Sequence, residues 1–211
     1  MEFLRARSKA EMDSRQEEIV NACDTLYERL GYDGVNFKAI AELTSISRPA
    51  IYNYFRTKDE ILLALLKREM LRWQSDFLER LRPVSAMTKE QYSACLTEGL
   101  TRHAKMFRLI DILFTLLEDN SRAENLADFY SSVSSVFETI YSCTQRYFPD
   151  ATEQALRRFQ YESVSYVLGL HAVTSVSQKH SSAIRLSGVC AGLPRFEQLC
   201  QDGLLALLSA L

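Results

Sequence analysis

Glycine, proline and histidine are scarce in this sequence of 211 residues, which contains seven glycines, four prolines and three histidines. The histidines, His103, His171 and His180, occur singly, with no HExxH pair. The sequence also lacks a GxSxG motif and a glycine-rich phosphate loop. An enzyme needs a nucleophile–base pair or a metal cluster, so we predict no catalytic residue, no metal site and no cofactor.

Paired cysteines are missing as well. The five cysteines are odd in number and show no CxxC spacing, which argues against a disulfide framework or a structural zinc site. Cys23 falls on an apolar helical stripe and is predicted to be a small core residue. The other four are Cys95, Cys143, Cys190 and Cys200.

Long apolar runs are also absent. No segment approaches the length that a membrane span needs, and the N-terminus is charged rather than signal-like, so we expect a cytoplasmic protein without membrane contact. Apolar residues recur at helical spacing, without strand-like alternation or tandem repeats. This spacing predicts an all-α chain. With 47% hydrophobic residues, the chain is predicted to form one main core and a small appended domain.

Residues 36–58 show the pattern of two short helices joined by a tight turn. Asn36 stands where an N-cap acceptor would bind the first free backbone N–H groups. Thr44 and Ser45 break the helical pattern, and Ile46 is expected to close the corner between the helices. The apolar stripe of the first predicted helix consists of Phe37, Ile40, Ala41 and Leu43.

The second predicted helix follows Ser47, its expected N-cap. Pro49 falls in the first turn, where its missing N–H has no cost. Ile51 and Phe55 are predicted to pack inward, which leaves polar side chains on the open face. Two helices joined by such a turn form a helix-turn-helix, whose second helix enters the major groove of DNA.

The sequence here resembles a known family. The run ISRPAIYNYFRTKDEIL is similar to the signature of TetR-type transcriptional regulators, in which a motif of the form TLYxYF is followed by a lysine. The match extends without gaps over residues 19–66. One departure lies in the turn, where the family often has glycine and this chain has Ser45. If that position requires a positive φ, serine would be strained there.

The resemblance implies an N-terminal three-helix DNA-binding domain followed by a helical ligand-binding and dimerisation domain. It also implies two groups of DNA contacts. The residues expected to face base edges or the groove are Lys38, Arg48, Pro49 and Tyr52, with Ser47 at the start of the helix. Phosphates are expected to bind Asn36, Asn53, Tyr54 and Lys58.

The residue chemistry supports part of this assignment independently. Within residues 34–58 the only acid is Glu42, against four basic residues, whereas the whole chain has a net charge of −2. Arg48 near a helix N-terminus can form a bidentate contact to guanine, which contributes roughly 1–3 kcal/mol of discrimination. For Tyr52 and Tyr54 the alternative is that part of each ring packs in the domain core.

The N-terminal boundary of the predicted DNA-binding domain follows from polarity and capping. Residues 1–13 are polar and mixed in charge, and we expect a disordered arm. Ser14, with Glu17 as its capping-box partner, is the expected start of the first helix, and Gly31 is its expected end. The predicted DNA-binding domain is therefore 14–58.

The predicted regulatory and dimerisation domain is 59–211. Thr57 is the expected N-cap, with Glu60 at the capping-box position, of a connecting helix over 59–81. The segment 179–194, which contains two glycines, is predicted to be a loop.

In the family, the C-terminal helices enclose a small-molecule pocket, and its occupancy moves the connecting helix. For each aromatic candidate taken singly, an ordinary core position is the alternative, whereas His103 and Asp111 are stronger candidates because a buried polar group needs a partner. Aromatic residues with few charges favour an apolar or aromatic effector. The candidate lining residues are Trp73, Tyr92, His103, Phe107, Asp111, Phe114, Phe137, Tyr141, Phe159 and Tyr166.

The last predicted helix, over residues 195–211, is rich in leucine and needs a cover, either in its own core or in a dimer. The family resemblance implies that the last two long helices pair with their copies. A two-fold pair reads two half-sites, which predicts a palindromic operator in double-stranded DNA. The expected interface residues are Leu156, Phe159, Ser163, Leu170, Val173, Leu204, Leu205 and Leu208.

The expected function is therefore a homodimeric repressor that a small-molecule effector releases from its operator. The alternative is a protein-binding adaptor of the same fold without specific DNA binding. Such an adaptor would be expected to lose the basic and hydroxyl groups of the recognition face, which are present here.

Overall fold

The computed structural model describes residues 2–175, 177–188 and 195–211, with side chains from position 11 onward. Within these ranges the chain forms ten α-helices and one π-helical turn, and no β-strand. The all-α prediction is confirmed. The last part of the predicted loop 179–194, with Cys190, lies outside the described residues.

The helices group into two units, which are described separately. The first unit comprises Met1–Glu69 and Leu109–Ser132. It is larger than the predicted domain 14–58, because it includes the first part of the next helix and a later segment of the chain. Its elements are α1 (Glu2–Gly34), α2 (Phe37–Glu42), α3 (Arg48–Ile51), the first part of α4 (Lys58–Leu81), a π-helical turn (Leu113–Leu117) and the first part of α7 (Ala123–Tyr147).

The second unit comprises Met70–Arg108 and Val133–Leu211. It contains the later parts of α4 and α7. Its remaining helices are α5 (Lys89–Thr101), α6 (Ala104–Ile110, of which residues 109–110 belong to the first unit), α8 (Glu153–Thr174), α9 (Gln178–Ser187) and α10 (Phe196–Leu208). Within this unit α10 packs against α5 and α8.

Helix α1 begins well before the predicted start. It runs from Glu2, whereas the sequence predicts a disordered arm over 1–13, and Ser14 lies inside the helix. The segment is polar, but it is rich in Glu, Arg, Lys and Ala, which have high helix propensity. Helical geometry is interrupted at Gly31, where φ is 69° and ψ is −166°, close to the predicted end.

The core of the first unit gathers side chains from its short and long helices. Ile19, Cys23, Ile40, Ile51 and Leu62 are fully buried. Leu43, expected in the apolar stripe, is instead 48% exposed. Helix α2 ends at the preceding residue, so the helical period no longer directs this side chain inward.

Aromatic rings fill the core of the second unit. Trp73 and Phe77 stack with centroids 5.2 Å apart and an interplanar angle of 8°. Tyr92 is fully buried and packs against Tyr147 and Phe148 at 5.5 and 5.6 Å. Tyr92 also contacts Phe77 with centroids 6.5 Å apart, so these rings join α4, α5 and the end of α7 within the unit.

Part of the predicted loop 179–194 is a helix. Ser177 caps α9 by accepting a hydrogen bond from the backbone N–H of His180 at 3.1 Å. Gly188 ends the helix in the left-handed conformation, with φ 67°. This glycine marks a helix C-terminus and not a long loop, and α9 buries no residue.

Candidate nucleic-acid interface and regulatory residues

The helix-turn-helix segment, residues 36–58, forms α2, a turn and α3. Asn36 is the N-cap of α2, as predicted, and its Oδ1 accepts a hydrogen bond from the backbone N–H of Ala39 at 3.0 Å. Ser47 is the N-cap residue of α3 but forms no capping hydrogen bond with its side chain. Pro49 lies in the first turn of α3, as predicted.

The predicted DNA contacts are mostly on the surface of the first unit. Tyr54 and Lys58 are half-buried. The short helices α2 and α3 and the turns that flank them therefore expose most of the predicted DNA contacts to solvent. The exposed members are Asn36, Lys38, Ser47, Arg48, Pro49, Tyr52 and Asn53.

Both tyrosines combine packing with exposure. The ring of Tyr52 contacts Phe37 edge-on, with centroids 4.7 Å apart, yet the residue is 50% exposed. Tyr54 lines a pocket of about 270 Å³ in the first unit, beside Phe55. The ring of Tyr52 is thus fixed at one edge, and the rest of the side chain remains open to a ligand.

Lys58 is held by its own unit. Its Nζ donates to the backbone carbonyl of Tyr32 at 3.0 Å and lies 3.7 Å from the centroid of that ring. The Tyr32 hydroxyl donates to Asp59 at 2.8 Å. Burial and the Asp59 hydrogen bond raise the pKa of Tyr32 to about 12. These contacts fix the start of α4 directly after the recognition helix α3.

The turn at Ser45 has no backbone strain. Positive φ occurs only at glycine among the described residues, so the conformation that would have strained serine is not used. Instead, the Ser45 N–H donates to Glu18 Oε1 at 2.5 Å, and its hydroxyl donates to Glu18 Oε2 at 3.2 Å. Arg15 donates to the same hydroxyl at 2.6 Å. Hydrogen bonds from Ser45 lower the pKa of Glu18.

A second carboxylate, Glu60, binds the segment that follows α3. The side chain of Glu60 is fully buried and accepts a hydrogen bond from the backbone N–H of Arg56 at 2.7 Å. Arg122 donates to it through Nε at 2.6 Å and through Nη2 at 3.0 Å. Thr57 caps α4 as predicted, because its Oγ1 accepts from the Glu60 N–H at 3.1 Å.

Arg122 was not found by sequence reasoning. Glu60 was expected to bond the N–H of Thr57 in a capping box, but it bonds the N–H of Arg56 instead. The guanidinium of Arg122 comes from a position 62 residues later in the chain. The capping pattern was the only local signal for this cluster, and it gave no indication of the distant partner.

The predicted pocket residues are divided between the two units. Trp73, Tyr92, Phe107 and Phe159 are buried core residues, as in the alternative interpretation. Asp111 and Phe114 are exposed and belong to the first unit, whereas the other candidates belong to the second. Phe137, Tyr141, His103 and Tyr166 are half-buried.

Three of these half-buried residues have structural contacts. The Tyr166 hydroxyl donates to the Leu199 carbonyl at 2.6 Å, and the ring lies where a Cβ on Gly203 would be only 2.2 Å away. Tyr141 receives the guanidinium of Arg157 over its ring at 3.9 Å. The backbone carbonyl of Phe137 accepts from Gln160 at 2.6 Å. Tyr166 therefore serves helix packing between α8 and α10.

His103 and Trp73 share a cleft in the second unit. His103 Nε2 lies 3.1 Å from Asp76 Oδ2, which supplies the polar partner that the sequence required. A different histidine is packed more deeply: His171 stacks on Phe107 at 4.6 Å, and Phe196 lies edge-on to both rings. The helical pattern gave no signal for this aromatic cluster.

Most of the expected interface residues are buried within one chain. They pack inside the second unit, where α10 contacts α5 and α8, so their assignment to a dimer interface is corrected. Leu170 and Leu205 are half-buried, and Val173 is 67% exposed. The buried members are Leu156, Phe159, Ser163, Leu204 and Leu208.

The described residues contain neither a candidate metal site nor a candidate membrane span. No group of His, Cys, Asp and Glu side chains in these ranges has a geometry suited to a metal ion. Among the same residues, no helix is both long and apolar enough to span a membrane.

Comparison with known proteins assigns the chain to a family. Residues 19–65 match the sequence profile described as "Bacterial regulatory proteins, tetR family". Residues 67–210 match that of "Tetracyclin repressor-like, C-terminal domain". The two matches cover nearly the whole chain, which therefore belongs to the TetR family of transcriptional regulators.

Two relatives illustrate the likeness. The HTH-type transcriptional repressor KstR of Rhodococcus jostii (strain RHA1) is 32% identical over 98 residues, which represent 42% of this chain and 46% of KstR. The chain thus spans about half the length of this curated relative. A crystal structure from Mesorhizobium loti MAFF303099, assigned to the TetR-family transcriptional regulators, matches with a TM-score of 0.56 and 14% identity. The alignment covers 94% of this chain and 95% of the Mesorhizobium loti chain, which shows that the two share a fold.

Members of the family are in general DNA-binding repressors without enzymatic activity, and they form dimers and respond to small-molecule effectors.

Proposed function

We propose that this regulator is a cytoplasmic, non-enzymatic repressor that binds a palindromic operator as a homodimer and is released by a small-molecule effector. The observation that carries the proposal is the exposure of Arg48, Tyr52 and Asn53 on and directly after α3, with Lys38 exposed on α2. These side chains supply a bidentate guanine donor and several phosphate donors on one short segment.

The same segment is well suited to hold these groups in register. The turn before α3 is bonded to Glu18, and the residues after it are bonded to Glu60. Arg48 is proposed to read base edges, whereas Asn36, Asn53 and Tyr54 are proposed to bind phosphates. Lys58 is proposed to bind phosphate with the donors that its contact to Tyr32 leaves available.

We place the dimer interface on the outer surface of α8. Val173 is 67% exposed and Leu170 is half-buried on the same helix. Leu205 on α10 is also half-buried. We propose that a second copy covers these apolar side chains, because members of the family form dimers.

Selection of bound sequences from random DNA tests the function directly. The purified full chain is incubated with a random duplex pool at moderate salt, and the retained sequences are determined. We expect an enriched inverted repeat, because a two-fold dimer reads two equal half-sites. Absence of enrichment with a folded, dimeric chain would contradict the proposal and favour the protein-binding adaptor.

Sedimentation of Val173→Asp tests the interface. A charge on an exposed position leaves the core intact but opposes burial against a partner, so we expect monomers with normal helix content. Leu204 and Leu208 are unsuitable for this test, since both are buried in the chain itself. A variant that remains fully dimeric would move the interface to another surface.

A further inference from the structure

A short segment just before α7 binds the residues that follow the recognition helix α3. The Thr57 hydroxyl donates to the backbone carbonyl of Asn120 at 2.9 Å. Arg122 donates to the Glu60 carboxylate from its side chain and also from its backbone N–H. All four residues belong to the first unit. The segment before α7 nevertheless lies outside residues 19–65, which match the first family profile.

The two oxygens of the Glu60 carboxylate have different partners. Oε1 accepts hydrogen bonds from Arg122 Nε at 2.6 Å and from the Arg122 backbone N–H at 3.2 Å. Oε2 accepts from Arg122 Nη2 at 3.0 Å and from the backbone N–H of Arg56 at 2.7 Å. The guanidinium therefore fixes the plane of the carboxylate, which in turn holds one backbone N–H of the segment after α3. Without the guanidinium this fully buried carboxylate would lack its charged partner, so we expect it to turn toward solvent and release the Arg56 N–H.

The backbone that carries the guanidinium is fixed on both sides. The Arg122 carbonyl accepts hydrogen bonds from the N–H groups of Asn125 and Leu126 at 3.0 and 3.1 Å, at the start of α7. Leu117, in the π-helical turn that comes before, is fully buried. Arg122 is therefore presented to Glu60 from a defined position.

The proposed phosphate donors lie next to the segment that Glu60 fixes. Asn53 and Tyr54 come shortly before Arg56 in the chain. Phosphate contacts set the register of a protein on DNA, and base contacts read the sequence only in that register. Displacement of this segment would move the phosphate donors, so Arg48 would no longer meet its base edge. Binding to random DNA depends much less on register and would be affected less.

We propose that Arg122 is a positioning residue for operator recognition. It acts through Glu60 on the backbone of Arg56 and not by contact with DNA. The proposal rests on the proposed function, because it requires that the surface around α3 binds an operator. It gives a role in DNA recognition to a residue that lies outside the helix-turn-helix.

The operator preference is the ratio of the affinities for the selected operator and for random DNA. Loss of folded protein lowers both affinities by the same factor, so a role in stability alone leaves this ratio unchanged. Fluorescence anisotropy titrations of the full chain measure both affinities at a temperature where each variant is folded. For Arg122→Ala we expect the ratio to fall about tenfold, as for the loss of one base contact. An unchanged ratio would overturn the proposal.

Arg68→Ala is the matched control. Arg68 also belongs to the first unit, and its guanidinium donates to Asp24 at 2.7 Å and to Asn21 at 2.5 Å. Both partners lie on α1 and not in the segment that follows α3. This variant should therefore lose stability but keep the operator preference of the unmodified chain. A fall in the ratio as large as that of Arg122→Ala would overturn the proposal, since any lost ion pair in the unit would then have the same effect.

Amide hydrogen exchange provides an independent measurement within one variant. The Arg56 N–H is bound by Glu60, whereas the Ser45 N–H, on the other side of α3, is bound by Glu18. In Arg122→Ala we expect exchange to accelerate more at Arg56 than at Ser45. Equal acceleration at both amides would indicate a general loss of stability and would overturn the proposal.

The unmodified chain separates this proposal from the proposed function. If the unmodified chain shows no operator preference, both proposals are refuted. If it shows a preference that Arg122→Ala retains in full, only the positioning role of Arg122 is refuted.

Discussion

The two units of the molecule are stabilised by different kinds of contact. In the first unit, Glu18 and Glu60 fix the turns on either side of α3, and Arg68 binds Asp24 at 2.7 Å. In the second unit, aromatic rings such as Tyr92 against Tyr147 join the helices. A fully buried carboxylate, Glu60, thus supports the segment that carries the proposed DNA contacts, whereas aromatic packing is prominent in the second unit.

Helix length explains this difference. Helix α2 has six residues and α3 has four, and helices this short are unstable by themselves and bury few side chains. Polar contacts with α1 and α4 compensate. The long helices of the second unit bury apolar stripes, and ion pairs of this unit such as Arg80 with Glu98 and Arg158 with Glu162 have an exposed partner. The comparison implies that removing one charged partner costs more in the first unit, where the Glu60 carboxylate is buried, than in the exposed pairs of the second.

The largest effect is expected from Phe159→Ala in the second unit. Phe159 is 2% exposed, and truncating a buried phenylalanine costs about 4 kcal/mol through lost transfer energy and a cavity. Denaturant unfolding at low and high salt measures the loss. The loss should be independent of salt. A strongly salt-dependent loss would contradict the apolar character of this unit.

A somewhat smaller effect is expected from Arg122→Ala in the first unit. The variant leaves the buried Glu60 carboxylate without its guanidinium, which costs about 3 kcal/mol. Hydrogen exchange should show the weakened protection in the first unit around the start of α4. Arg158→Ala serves as control, since its pair with Glu162 is exposed. Equal losses for both variants would refute the special role of the buried pair.

Acid should weaken the same cluster. Burial alone raises the pKa of the Glu60 carboxyl, but hydrogen bonds from Arg122 and from the Arg56 N–H outweigh it and hold the pKa below its ordinary value. The resulting stability is present above the unfolded-state pKa and is lost as pH falls through the folded-state value. Glu60→Gln should therefore differ most from the unmodified chain at neutral pH. A difference that persists unchanged in acid would contradict this.

The smallest effect is expected from Ser45→Ala. The variant loses the hydroxyl contacts to Glu18 and Arg15 but keeps the N–H contact to Glu18. All three residues are at least partly exposed, so the change in stability should be slight and should vanish at high salt. Thermal unfolding at two salt concentrations measures it. A loss as large as that of Arg122→Ala would mean that the turn and the buried cluster are not different in kind.

Local patterns predicted the helix-turn-helix segment well. The N-cap Asn36, the first-turn Pro49 and the cap Thr57 depend on neighbours within four residues, and all three are confirmed. Patterns that depend on distant partners were less informative. The contact between Glu60 and Arg122 joins positions that are far apart in the sequence, and no periodicity encodes it.

The apolar stripes of the C-terminal helices are buried, as predicted, but the same chain covers most of their residues, whereas the prediction assigned them to a dimer interface. A helical period shows which face of α10 is apolar, but it does not show whether α5 and α8 of the same chain or a second copy covers that face. Leu204 and Leu208 are therefore core residues. In the same way, the aromatic pattern could not separate Trp73, which lines a cleft, from Tyr92, which is fully enclosed.

The central claim is that the surface around α3 reads DNA sequence through Arg48. Its most direct test compares the affinities of the unmodified chain and of Arg48→Ala for the selected operator and for random DNA, over a range of salt concentrations. Lys58→Ala serves as the contrast and should weaken both kinds of DNA about equally, with a flatter salt dependence. For Arg48→Ala we expect operator affinity to fall by roughly 1–3 kcal/mol, with a much smaller change for random DNA. An equal loss on operator and random DNA would contradict the base-reading role of Arg48.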